Sequence, residues 1–327
     1  MQKLRRLITA ASCLLLMVAM MPTTASAQQS NGLPTGSGLS ISPTISEYTL
    51  KPGGSTKLTI TLKNITVDNV TATGVVNDFT SDNNTGNPRI ITNTTTPSPN
   101  SIRNFILNLD DVPLKRGEQK NVTLNIQIPQ NTPPGAYFGI IRYRAVPAGQ
   151  NAPGPGQVAL TASVGTIVLI TVPGNIREQV QVSALHVYRG GTDGTFFFGP
   201  PNKIGVEIKN FGNGFIKPFG TVEVHNMFSK TITTYQFNNP KQPGNILPNS
   251  TRIFTNNIKG IKQFGRYTAI ASVSYGSGSQ VLTIQKNFWY IPMWLLIIAL
   301  LVIAVLIFLA YRAYRRYNRD KKHTSRR

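Results

Sequence analysis

Val122-Thr123-Leu124-Asn125-Ile126-Gln127-Ile128 decides the fold class. Apolar residues take every second place and polar residues fill the gaps. That two-residue period belongs to a strand with one face on a core and the other in water. It returns in Leu58, Ile60 and Leu62, which alternate with Thr59, Thr61 and Lys63. It returns again in Ile204, Val206 and Ile208, which alternate with Gly205, Glu207 and Lys209. No long helical period appears between residues 40 and 287. Turn formers separate the runs, among them Lys51-Pro52-Gly53-Gly54, Pro133-Pro134-Gly135, Phe211-Gly212-Asn213-Gly214 and Pro248-Asn249-Ser250. Glycine supplies positive φ there, and proline presets the first turn position. Many short strands at this spacing predict an all-β protein of immunoglobulin-like β-sandwiches.

The two ends read differently. Residues 291–310 form an uncharged apolar run of the length that crosses a bilayer's hydrocarbon core as a helix. Trp289, Tyr290 and Trp294 flank it on one side, and Tyr311, Tyr314 and Tyr317 on the other. Aromatics at both ends suit two membrane–water interfaces. Eight basic residues follow, from Arg312 to Arg327, against the single acid Asp320, which predicts a cytoplasmic tail. At the other end, Lys3, Arg5 and Arg6 precede the apolar run Leu7–Met21, and Ala25-Ser26-Ala27 supplies small residues. This reads as a secretory signal peptide cut after Ala27, with a retained anchor as the rival reading. Cys13, the only cysteine, leaves with it, so disulfides and thiolate metal sites are excluded outside.

The expected order is a signal peptide (1–27), a flexible leader (28–38), a first sandwich (39–174), a second sandwich (175–287), a transmembrane helix (288–311) and a basic cytoplasmic tail (312–327). The Gly- and Pro-rich stretch 147–156 reads as a long hairpin loop between strands that pair, not as a linker. A faint internal pattern links the halves. Leu62-Lys63-Asn64 and Ile208-Lys209-Asn210 each end a strand, and Gly135-Ala136-Tyr137 and Gly265-Arg266-Tyr267 each open one.

Catalytic chemistry is not expected. The exported region holds His186 and His225 and no cysteine, too few ligands for a zinc site. Glu223 and His225 share one strand face and read as a solvated surface. Asp110-Asp111 lacks a calcium-loop pattern and reads as a strand-end turn. No Gly-X-Ser-X-Gly elbow accompanies either histidine. The residues therefore point to no enzyme, no metal and no cofactor.

Charge is more informative. Of 33 Lys and Arg, three lie in the signal and eight in the tail; of 12 acids, one lies in the tail. The 22 cations and 11 anions that remain give the exported region about +11. That field favours anionic partners. Outside a cell these are wall polymers such as peptidoglycan, or acidic surface proteins, not nucleic acid. Two aromatic stretches are candidate contact sites. In Phe196-Phe197-Phe198, alternation turns Phe197 away from its neighbours, which leaves two readings: a buried turn cluster in the domain core, the favoured one, or an exposed ring that anchors a contact. In Tyr137–Arg144, Tyr137, Gly139, Ile141 and Tyr143 suit a core, whereas Phe138, Ile140, Arg142 and Arg144 present a mixed face to a neighbouring domain or a ligand.

Ile41-Ser42-Pro43-Thr44, Leu50-Lys51-Pro52-Gly53-Gly54-Ser55 and the strand ending in Lys63-Asn64 resemble the opening of the WxL-interacting protein family. Residues 128–139, Ile-Pro-Gln-Asn-Thr-Pro-Pro-Gly-Ala-Tyr-Phe-Gly, are similar to that family's later proline–glycine–aromatic segment. The resemblance is strongest over 39–172. It implies a Gram-positive-type surface protein whose first domain binds peptidoglycan and whose second engages host ligands or partner surface proteins. It assigns no binding residue. The expected function is a single-pass cell-surface binding or adhesion protein with its large N-terminal portion extracellular. The alternative is a chaperone-like assembly factor for exported surface proteins.

Overall fold

The computed structural model describes residues 38–92, 95–147, 163–238, 241, 243–276 and 280–324, with side chains at the C-terminal end as far as residue 316. The signal-peptide and leader readings, with the cleavage site at Ala27, lie outside the described residues, as does most of the loop 147–156.

The alternating segments are strands, and they assemble into two β-sandwiches. In the first, one sheet orders β1 (Leu39–Ser42), β3 (Ser55–Asn64), β8 (Gln119–Gln127) and β6 (Ile106–Leu107). The facing sheet orders β2 (Ile45–Thr49), β10 (Ser163–Val172), β9 (Gly135–Pro147), β4 (Val70–Ser81) and β5 (Pro88–Ile91), with β7 (Val112–Leu114) also on β4. In the second, one sheet orders β12 (Thr192–Asp193), β11 (Val180–Arg189), β14 (Lys203–Asn210) and β17 (Thr251–Asn257). The other orders β13 (Phe196–Phe197), β19 (Gln280–Tyr290), β18 (Gly265–Tyr275), β15 (Phe219–Asn226) and β16 (Thr231–Phe237). Among the described strands, the pairings are antiparallel except β2 with β10 and β13 with β19.

The deciding stretch lies in β8, where Leu124 and Ile126 are fully buried opposite Leu58 and Thr56 of β3. Leu58, Ile60 and Leu62 join them in the first core with Ile141 and Tyr143. Ile204, Val206 and Ile208 enter the second core with Val222, Val224 and Phe288. The strands flanking the 147–156 loop, β9 and β10, pair as expected.

The internal pattern has a physical basis. Asn64 and Asn210 are both fully buried at the ends of equivalent strands. Asn64 Oδ1 accepts from the Thr66 amide, and its Nδ2 donates to the carbonyls of Asp68 and Lys115. Asn210 Oδ1 accepts from the Gly212 amide, and its Nδ2 donates to the carbonyls of Gly214 and Ile246. Each side chain thus ties its own turn to a second loop. The tyrosines match too: Tyr137 Oη donates to the Pro133 carbonyl, and Tyr267 Oη to that of Gln263, each four residues back.

One boundary differs from expectation. Phe288, Trp289 and Tyr290 belong to β19, and the helix α1 (Met293–Thr324) begins after them and runs on through the basic segment. Apolar composition continues unbroken from strand to helix, but Phe288 stacks on Tyr267 in the second core, and Trp289 and Tyr290 pair with β13 and β18. The sheet claims these residues before the helix can. Its segment Met293–Arg316 is long and apolar enough to cross a membrane, and the apolar window is nowhere buried in protein.

Candidate functional site

The second sandwich rests on the outward face of β4, β9 and β10. There Phe79, Phe138, Ile140 and Leu169 form an apolar cluster against which Phe215 and Leu247 pack. The Phe138 ring lies 5.1 Å from Phe79 and 6.1 Å from Phe215, centroid to centroid. The mixed face of β9 thus meets a neighbouring domain, as its sequence suggested, with Arg142 turned to Asn77 at 3.0 Å.

Polar contacts clamp the rim. Lys217 Nζ lies 2.6 Å from Glu47 Oε2, and Asn245 Nδ2 donates to Glu47 Oε1 at 2.9 Å. Asn213, in one of the turns read from sequence, accepts the Ala136 amide on its carbonyl and donates from Nδ2 to the Pro134 carbonyl. The loop Asp82–Asn87 plugs the edge of β17: the Ile253 amide donates to the Asn84 carbonyl at 2.6 Å and the Thr251 amide to Asn83 Oδ1 at 3.2 Å. Asp82 holds that loop in shape by accepting the Thr85 hydroxyl and the amides of Asn84 and Gly86. The Thr85 and Asn84 bonds press its carboxyl well below the usual range. Arg252 lies against the loop; burial pulls its guanidinium down, and the Asp82 charge opposes this.

Between the sandwiches remains a cleft of about 520 Å³, lined by Glu47, Tyr48, Leu169, Phe215, Lys217 and Asn245 among others. Along its side runs β2, the last strand of its sheet. The Ile167 amide donates to the Thr44 carbonyl and the Leu50 amide to that of Thr171. Even-numbered residues of this segment therefore face β10. By alternation, the amides and carbonyls of Ile45, Glu47 and Thr49 point to the open side. Among the described strands none lies beyond them. A second groove of about 550 Å³ opens between β16 and β17, with Asn84 and Thr85 at its end.

The titratable residues singled out from sequence lie elsewhere. His225 Nε2 is 3.0 Å from Glu223 Oε2 on one face of β15, the expected surface pair. Asp110 and Asp111 lie between β6 and β7. Burial first, then these two charges, pushes the Tyr143 hydroxyl up to about 12. His186 bridges two carboxylates that sequence did not connect: Nδ1 to Asp193 Oδ2 and Nε2 to Glu207 Oε2, both 2.8 Å. Lys286 adds a contact to Asp193 at 3.2 Å. The ring stands between the carboxylates, so they do not converge on one point. Among the described residues no group of three His, Cys, Asp or Glu is placed to hold a metal ion.

This bridge predicts a pH dependence. Burial lowers the His186 pKa, but the Asp193 and Glu207 hydrogen bonds outweigh it and the net direction is upward from 6.5. The stabilisation is therefore full below pH 6.5 and is lost as pH rises through the raised value. Burial raises Asp193, but His186 and Lys286 outweigh it and the net direction is downward from 3.8. Its share is full above pH 3.8 and is lost as pH falls through the lowered value. Asp193 is over a third exposed, so we expect the gap between the wild-type and His186→Gln proteins to be about 1 kcal/mol or less near pH 5.5. Thermal melts of the detergent-solubilised chain should show the gap closing towards pH 9. A gap constant with pH would refute the bridge.

No protein-family model matches the chain, and no curated protein sequence matches it. Several solved structures are similar in fold. The class 5 fimbriae chaperone CfaA is 11% identical, matching 78% of this chain and 100% of that one, with a TM-score of 0.36. The Escherichia coli chaperone DraB is 14% identical over 77% of this chain and 97% of that one, at a TM-score of 0.33. A protein of unknown function from Porphyromonas gingivalis W83 is 13% identical over 78% and 100%, at 0.28. Likeness at this level concerns the sandwich fold and nothing else.

Proposed function

We propose that this chain is a membrane-tethered, non-catalytic binding protein that holds extended segments of exported or surface-displayed polypeptides by strand addition along β2. The observation that carries this reading is the open side of β2 beside the interdomain cleft. An extended segment laid there satisfies the outward amides and carbonyls of Ile45, Glu47 and Thr49 as a further strand. Its side chains then reach the Leu169 and Phe215 surfaces and the Glu47–Lys217 pair. The interface clamps keep cleft and edge in fixed relation, which lowers the ordering cost of capture.

A photo-crosslinking residue at Ile45, in the full chain in its own membranes, tests it. Adducts with exported proteins are expected. Thr49→Pro removes one outward amide and leaves the β2–β10 ladder intact. It should lower adduct yield about fivefold, the worth of one hydrogen bond near 1 kcal/mol. Adduct yield unaffected by Thr49→Pro would sink the reading.

The net positive charge favours a second reading, attachment to an anionic wall polymer, in line with the resemblance to the WxL-interacting family. Co-sedimentation with purified walls that salt abolishes, and that Thr49→Pro leaves unchanged, would support this second reading instead.

A further inference from the structure

We infer that the end of the second sandwich nearest α1 is a lipid-docking surface, seated in the headgroup layer of the bilayer. This rests on α1 being a membrane span. The strand register brings four segments to that end. Tyr290 of β19 pairs with Gly265 of β18, Asn226 of β15 with Tyr267, and Phe196 of β13 with Trp289. The 226–230 turn, the 258–264 loop and the 196–200 segment therefore all lie beside the start of the helix.

These segments are unusually apolar for solvated loops. Phe228 is 78% exposed, Phe196 64%, and Phe198 and Phe264 53% each, with Met227 and Trp289 also exposed. Phe197, between two exposed rings, is buried against Phe288 and fixes the direction in which its neighbours project. Exposed cations accompany the rings at Lys230, Lys259, Lys262 and Arg266. In the described loops at this end the one acid, Asp193, is already engaged by His186 and Lys286. Large aromatics interleaved with cations suit a bilayer interface with anionic headgroups.

Chain continuity decides the occupant. Only Ile291 and Pro292 separate β19 from α1, and the Ile291 amide donates to the Phe197 carbonyl at 2.9 Å. That bond holds Ile291 to the sandwich, so the free chain from Ile291 to Met293 reaches at most about 7 Å. That is close to the depth of one headgroup layer, so a helix in the membrane leaves the sandwich no room to stand clear of it. The exposed rings then meet lipid and not water.

The test uses the full chain with Cys13→Ser, carrying single cysteines labelled with an environment-sensitive fluorophore, in phosphatidylcholine–phosphatidylglycerol vesicles. Labels go at Phe228→Cys, Gln263→Cys, Leu301→Cys in mid-helix and Gln181→Cys at the far end of the sandwich. Lipids bearing a nitroxide near the headgroup should quench most emission at 228 and 263 and none at 181. A nitroxide at the acyl terminus should quench 301 most. Phe196→Ser with Phe228→Ser should reduce quenching at 263. If 301 is quenched while 228 and 263 emit as 181 does, docking is overturned and the span stands. If 301 is not quenched, the span itself fails.

Discussion

Phe138→Asp should part the two sandwiches while leaving each folded. Phe138 belongs to neither main core; it lies in the cluster between the sandwiches, over Phe79 and under Phe215. Truncating a buried phenylalanine costs about 4 kcal/mol before any charge is considered. A carboxylate among these side chains adds a desolvation penalty that nothing in the cluster offsets. The remaining links are polar: the exposed contacts of Glu47 with Lys217 and Asn245, and the hydrogen bonds of Asn213 with Ala136 and Pro134 and of Asn83 and Asn84 with Thr251 and Ile253, each worth about 1 kcal/mol and together less than the penalty at Phe138. Small-angle scattering in detergent should show a larger radius of gyration, and calorimetry two transitions. Capture at Ile45 should fall with the loss of the cleft. Ile141→Asp is the contrast. Its side chain points the other way, fully buried in the first core, and should unfold that sandwich outright. If both variants behave alike, the cluster is not a joint between independent cores.

Asn210→Ala should cost about 4 kcal/mol and Asn64→Ala about 2, although the two residues do the same job. The three bonds of Asn210, to Gly212, Gly214 and Ile246, are all buried, so its loss strands three backbone groups away from water. Of the partners of Asn64, only the Leu114 carbonyl is buried, and that bond is long at 3.4 Å; those at Thr66, Asp68 and Lys115 are partly buried, and there water can take its place. Thermal melts of the purified chain give both numbers. The reverse order would mean that solvent access does not set the cost. Asn210→Asp is expected to be at least as damaging, since it turns a donor facing two carbonyls into a negative oxygen.

The same pair shows how far the sequence could be read. Alternation announced the strands, because a core on one side leaves its mark every second residue. The paired Lys-Asn and Gly-X-Tyr motifs announced the internal repeat, because each ends or opens a strand by a bond made within a few residues. The face of Phe138 and Ile140 was legible as a contact surface, since apolar residues on a second face need a cover. What covers it was not, because Glu47 lies 170 residues from Lys217 and 198 from Asn245. The open side of β2 was hidden for a similar reason: only its parallel pairing with the distant β10 reveals which amides are spent. The helix start is hidden in the sequence because Phe288, Trp289 and Tyr290 extend the apolar run without a break, and their strand pairing is a tertiary event. The bridge at His186 joins three strands that no local spacing connects.

The parallel pairing of β2 with β10 has a mechanical consequence. These are the strands by which the chain enters and leaves the sheet of the first sandwich, and they run side by side in the same direction. Tension applied between the start of β2 and the end of β10 slides one past the other. Their hydrogen bonds must then rupture together, not one after another as when a hairpin is peeled. The first sandwich is thus built to resist a steady pull on its two ends.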